Sequence, residues 1–178
     1  MNYETFKKNI SFIKSWRLKN DKPNWMWPDS RDPEVVEQMA DLQVVPQDVE
    51  KSMVALAAYR EGSTDVYQGM SVIVHVIRNR GASGMFRSHL TQDPQFDSMN
   101  LEGHSLLDVY PLDPPGRDFD LLLTNLDDIL QGKTVDLSQG AIYFGELGKA
   151  GWFQDLADSG AVERTVQLGF KTFYKDKK

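Results

Sequence analysis

Residues 65–80 read DVYQGMSVIVHVIRNR, and the fold turns on whether they form a strand or a helix. The β-branched run Val72-Ile73-Val74 favours a strand. The polar residues decide against it. Gln68, Ser71, His75 and Arg78 fall on one helical stripe, and Val66, Met70, Ile73 and Ile77 fall on the opposite one. The spacing therefore predicts a helix over 65–80, with His75 on its polar face. Gly69 inside that helix costs about 1 kcal/mol against Ala, and such a glycine usually marks close approach of another element.

Upstream, Pro46 to Glu61 is predicted as a helix with Val49, Met53, Leu56 and Ala57 as its apolar stripe. Gly62 follows directly, where a left-handed residue is expected past a helix end. Phe6, Ile10 and Ile13, beside Phe12 and Trp16, predict a helix over 4–18. A loop, NDKPNWMWPDSRDP, leads to a short helix capped by Asp32 with Pro33 at its first position and Val36, Met39 and Leu42 along it.

Downstream, residues 81–117 are loop-rich. Leu122, Leu126, Ile129 and Leu130 then predict a helix stopped by Gly132. The segment GAIYFGE reads as a short strand, and TVQLGFKTFY reads as a hairpin turning at Gly169-Phe170. Helices first and a small antiparallel sheet near the C-terminus give an α+β, mainly helical class. Residues 1–45 read as an N-terminal helical extension packed on the domain formed by residues 46–178.

The 178 residues are 40% hydrophobic and 26% charged, enough for a sizeable core. There is no cysteine, so neither disulfides nor thiolate metal sites arise. The net charge of −6 is uneven. Residues 1–22 carry six basic and two acidic side chains, or +4, which leaves −10 for the rest. An acidic body argues against nucleic acid as a partner. No apolar run is long enough to cross a membrane.

Glu61 continues an inward stripe: Ala57, Val54 and Met53 lie four, seven and eight residues before it. It also closes a helix, where the macrodipole presents negative charge. Both effects disfavour the ionised carboxylate, a setting suited to a general acid. On this reading the charge is a burden at neutral pH. Glu61→Gln is then expected to leave the melting temperature unchanged or higher. The competing reading is a solvated helix-end glutamate paired with Arg60 or Arg78. Asp65 is either a second carboxylate or a cap of the next helix, with Gln68 completing the box.

The segment AAYREGSTDVYQGMSVIVHVIRNR resembles the core signature of the SleB-like cell wall hydrolases, the spore-cortex-lytic enzymes. Tyr59, Glu61, Asp65, Tyr67, Gly69, Asn79 and Arg80 stand at its positions. DPQFDS, GAIYF, AGWF and TVQLGFKTFY follow in the family's order, so the resemblance covers roughly residues 47–174. It implies a lysozyme-like fold with Glu61 as the catalytic acid, acting on the bond between N-acetylmuramic acid and N-acetylglucosamine in peptidoglycan glycan strands. It also implies a lytic transglycosylase, in which the muramic C6 hydroxyl displaces the leaving sugar and one carboxyl serves as acid and then base. A muramidase-type hydrolase would need a second acid, for which Asp65 is the candidate. The family's usual residue there is Glu. A non-catalytic glycan-binding or virion structural protein of the same fold is the rival from another class.

Tyr67, Gln95, Phe96, Tyr143 and Trp152 are the candidates for a glycan groove, since sugar sites combine aromatic faces with amide donors. Trp25 and Trp27 are expected instead to pin the N-terminal segment to the domain. Asn79 and Arg80 either orient Glu61 or cap their helix. His75 and His104 offer no metal-ligand cluster, Ser63 has no histidine placed to serve it, and no cofactor is expected. MNYETFKKNISFIKSW lacks the pattern of a signal peptide. The expectation is a phage endolysin, a virion component or a cargo of a secretion machine. Such a protein is made in the cytoplasm and acts on the wall, and residues 1–45 are available to a delivery partner.

Overall fold

The computed structural model describes residues 1–22, 26–62, 66–81, 116–146 and 152–177, with side chains in the last segment from residue 155 onward. Within these lie helices α1 (Tyr3–Lys19), α2 (Pro33–Asp41), α3 (Pro46–Glu61), α4 (Tyr67–Arg80), α5 (Arg117–Leu130) and α6 (Trp152–Asp158). Strands β1 (Tyr143–Glu146), β2 (Val162–Leu168) and β3 (Lys171–Asp176) form one antiparallel sheet in the order β1-β3-β2. The expected class holds: mainly helical, α+β, with the small sheet near the C-terminus. No described helix is long and apolar enough to cross a membrane.

Residues 65–80 resolve as a helix, beginning at Tyr67 with Val66 at the cap and no side-chain cap bond there. The apolar stripe predicted for α4 understates its burial. Everything from Met70 to Ile77 is buried, including Ser71 and His75. The helix packs against both α3 and α5. A helix covered on all sides needs apolar residues all round, which is why the run Val72-Ile73-Val74 is tolerated against its strand preference. His75 therefore lies inside, not on a solvated polar face.

The N-terminal helices share this core. Asn2 and Asp32 accept backbone hydrogen bonds at the starts of α1 and α2. Phe6 and Ile13 of α1 are fully buried. The Phe119 ring of α5 lies 5.1 Å from Phe6 and 5.4 Å from Tyr59 of α3, both edge-on. Asn9 of α1 donates to Ser52 Oγ at 2.9 Å and to the Asp48 carbonyl at 3.0 Å on α3. Trp27 is buried in the same cluster, whereas Trp25 lies outside the described residues. In α2 the buried side chains are Val35 and Met39. The expected Val36 and Leu42 are exposed, because a nine-residue helix lying on a surface buries only one narrow stripe.

The two helix-ending glycines differ. Gly132 ends α5 as expected, and does so left-handed, with φ +72°. Gly62 has φ −65°, an ordinary helical value, so the left-handed expectation fails there. Space is the reason instead. A β-carbon on Gly62 would stand 2.6 Å from the Ala58 carbonyl oxygen and 3.1 Å from Met70 Cα. The end of α3 thus abuts the start of α4 backbone to backbone. Gly62→Ala is expected to destabilise the fold by about 1–3 kcal/mol, measured by denaturant unfolding. A change near zero would mean that the two helices part at little expense.

Candidate functional site

Glu61 is the last residue of α3. Met53, Val54 and Ala57, the stripe beneath it, are fully buried, and the Glu61 side chain is 12% exposed. The inward placement read from spacing holds. A residue missed by that reading stands beside it: Lys171 Nζ lies 3.5 Å from Glu61 Oε2, with the lysine side chain 10% exposed. The ammonium also lies 4.6 Å from the centre of the Phe144 ring, a cation–π distance. Phe144 and Phe173 pack together at 6.0 Å.

The hairpin delivers this lysine. Gly169 and Phe170 form the predicted turn, and Lys171 opens β3, opposite Leu168 on β2 and Glu146 on β1. Alternation along β3 puts Lys171 and Phe173 on one face of the sheet, and the register adds Phe144 to it. Between the turn and the start of α4 runs a groove of about 200 Å3, whose walls include Gly62, Gln68, Gly69, Phe170 and Lys171. Arg60 is half-buried next to Glu61. Burial lowers its pKa, and the Glu61 carboxylate opposes that change.

The two effects inferred for Glu61 from sequence omitted this cation. A nearly buried ammonium loses its countercharge when the glutamate is neutralised, and that loss is destabilising. The melting-temperature expectation for Glu61→Gln is accordingly reversed.

Asn79 neither touches Glu61 in the described structure nor caps α4. Its Nδ2 lies 3.0 Å from Asp136 Oδ2, 3.1 Å from Ser138 Oγ and 3.1 Å from the Ala141 carbonyl. Asp136 also accepts from Ser138 N, Ser138 Oγ and Gly140 N. Burial pushes the Asp136 carboxyl up, but the hydrogen bonds from Ser138, Asn79 and Gly140 outweigh it and hold the carboxyl below its usual range. His75 Nδ1 is 3.7 Å from Asp136 Oδ1, too long for a hydrogen bond. Both its ring nitrogens are buried without a hydrogen-bond partner among the described residues. Burial lowers its pKa, with Asp136 opposing and Arg78 reinforcing the shift. Serine, histidine and aspartate meet here, but Ser138 bonds to the aspartate and the imidazole is enclosed, so this is not a nucleophile–base pair.

Of the other predicted residues, Tyr67 is half-buried against the core. Tyr143 is half-buried with the Arg80 guanidinium 5.8 Å from its ring centre. It pairs with Tyr174 on the sheet face opposite Phe144, so the strand does not bring it to Glu61. Trp152 opens α6, and its side chain is outside those described, as are Asp65, Gln95, Phe96, Ser63 and His104 altogether. No group of three or more histidine, aspartate or glutamate side chains able to hold a metal occurs among the described residues.

Comparison with known proteins gives no match: no protein-family model, no curated protein and no solved structure is significantly similar to this chain.

Buried His75 and half-buried Asp136 together make stability acid-sensitive. An unfolded histidine takes up its proton near pH 6.5, and folded His75 does so at lower pH. Between those values the unfolded state binds more protons, so stability falls as pH falls. Asp136 adds stability above about pH 3.9 that is lost as pH drops through its depressed folded value. The melting temperature is expected to decline from pH 7 to pH 5, and His75→Leu to flatten that decline. A slope unchanged in His75→Leu would assign it to other groups.

Proposed function

We propose that this protein cleaves peptidoglycan glycan strands as a lytic transglycosylase of lysozyme-like fold, with Glu61 as the acid/base. The observation that carries the reading is the inward Glu61 at the end of α3, next to the groove that Gly62 and Lys171 line, in a chain whose SleB-like motifs follow in the family's order. The Glu61 end of α3 meets Lys171 of the closing hairpin. The Asn-Arg end of α4 meets the Gly-Ala-x-Tyr-Phe segment through Asn79 to the Ala141 carbonyl and Arg80 to the Tyr143 ring. These segments lie far apart in sequence and meet in two separate places, one at Glu61 and one around Asp136, so the second set supports the shared fold and the first the catalytic site.

In this reading the Glu61 carboxylic acid donates its proton to the glycosidic oxygen as the bond to the muramic anomeric carbon breaks. The resulting carboxylate takes the proton of the muramic C6 hydroxyl as that oxygen attacks the same carbon. The products are a 1,6-anhydromuramic end and a free N-acetylglucosamine hydroxyl, and no water is consumed. A groove beside Glu61 with Gln68 and Phe170 in its walls suits a sugar, which pairs polar edges with apolar faces.

The ion pair itself favours a second reading. A glutamate held by a nearly buried lysine is also what a structural tie between helix and hairpin looks like, in a glycan-binding or virion structural protein of the same fold.

Mass spectrometry of purified peptidoglycan digested with the full chain separates these outcomes. Anhydromuramic ends are expected. Reducing ends heavier by one water would mean hydrolysis and bring Asp65 in as a base, and an undigested sample would leave the structural tie. Glu61→Gln is expected to lower cleavage by about 100-fold or more. It should also lower stability by about 1–2 kcal/mol, because Lys171 keeps an amide acceptor but loses its countercharge. Wild-type-like cleavage by a folded Glu61→Gln protein would remove Glu61 from the chemistry.

A further inference from the structure

The outer side of α1 and α2 carries a feature unrelated to Glu61. Two adjoining hollows of about 240 and 230 Å3 share Phe12, Ser15 and Leu42, and together form one trough between the helices. Its floor is apolar: Phe12 and Trp16 from α1, with Leu42 and Val44 beyond α2. Leu42 is 52% exposed, and Val45, three residues on, 53%. The trough extends from Lys8 to Lys19 along α1, about 16 Å at the helical rise.

The two walls carry opposite charge. On α1, Lys8, Ser11, Ser15 and Lys19 recur on one side. On α2, Gln38 and Asp41 line the trough, and Glu34 continues their side one turn earlier, at spacings of four and seven. The helices run in opposite senses. Lys8 Nζ donates to the Gln43 carbonyl at 2.8 Å, past the end of α2, while Lys19 lies by Gln38. Glu34, Asp41 and Lys19 form no ion pair among the described residues.

We propose that this trough is a self-association surface, occupied by the same trough of a second copy of the chain. Charge complementarity selects the occupant. A two-fold axis running along the trough sets the basic α1 wall of each copy against the acidic α2 wall of the other. Lys8 then meets the partner copy's Asp41 level, and Lys19 its Glu34 level. A two-fold axis across the trough would instead oppose lysine to lysine and is disfavoured. An acidic or a basic partner protein would satisfy one wall and repel the other. The surface is its own complement, as a two-fold interface requires, with an apolar centre and a charged rim.

Sedimentation equilibrium of the full chain tests this. The expected result is a concentration-dependent dimer that weakens as salt rises, since rim charges are screened. The variant pair Lys8→Glu with Lys19→Glu is expected to raise the dimer Kd by about tenfold or more, and so is Glu34→Lys with Asp41→Lys. An equimolar mixture of the two variants should regain a dimer holding one chain of each, identified by native mass spectrometry. Ser15→Tyr fills the middle of the trough from the α1 wall, where the two hollows meet, without altering charge, and is expected to abolish association whether or not the charge variants fold. A wild-type chain that stays monomeric at every attainable concentration overturns the proposal. So do Ser15→Tyr chains that dimerise like wild type, and so does a mixture of folded charge variants that remains monomeric.

Discussion

The rest of the structure depends on the burial of α4 on all its sides. A helix with Val72, Ile73, Val74, Val76 and Ile77 in succession has no face fit for water, so other elements must surround it. α3 and α5 cover two sides. The segment from Asp136 to Ala141 closes another, and there the polar residues of α4 need partners. Asp136 supplies one for Asn79, though not for His75, and gathers Asn79, Ser138 and Gly140 onto one carboxylate. Hydrogen bonds to a charged acceptor contribute about 1.5–3 kcal/mol each. This cluster is therefore a principal fastening between the helical part and the chain that leads into β1. Thr165 of β2 reinforces it, donating to the Ser138 carbonyl at 2.8 Å.

The candidate site grows from the same constraint. Because α3 packs tightly against α4, its end is fixed at Gly62, where no side chain fits between the helices. That fixes Glu61 at the rim of the core. The hairpin then comes in from the far end of the sequence and sets Lys171 against it. Both side chains are largely withdrawn from solvent, so removing either charge leaves the other nearly buried without this partner. Lys171 and Gly62 also line the neighbouring groove, and this links packing to the proposed chemistry.

α1 serves two purposes through its two sides. Phe6, Ile10 and Ile13 enter the common core, while Lys8 and Lys19 border the outer trough. The basic excess of residues 1–22 is thus displayed by a helix that is itself anchored, and its charges hold a fixed pattern against the acids of α2. Fixed charge pattern, more than net charge, gives an interface its specificity.

The sequence by itself determined the local elements. The bounds of α3, the Asp32 cap with Pro33 behind it, the helical state of residues 67–80 and the Gly169-Phe170 turn all follow from spacing, capping and turn chemistry, which act within a few residues. It also placed Glu61 inward, because a helix repeats its faces. Only the tertiary structure decided the rest. Lys171 beside Glu61, Asp136 beside Asn79 and the enclosure of His75 each join residues remote in sequence, and periodicity carries no information about what covers a face. Gly62 shows the boundary most plainly. Its position at a helix end was legible, but its reason was not. The glycine is there because another backbone passes within reach of its missing side chain, and such a contact exists only once the helices have packed.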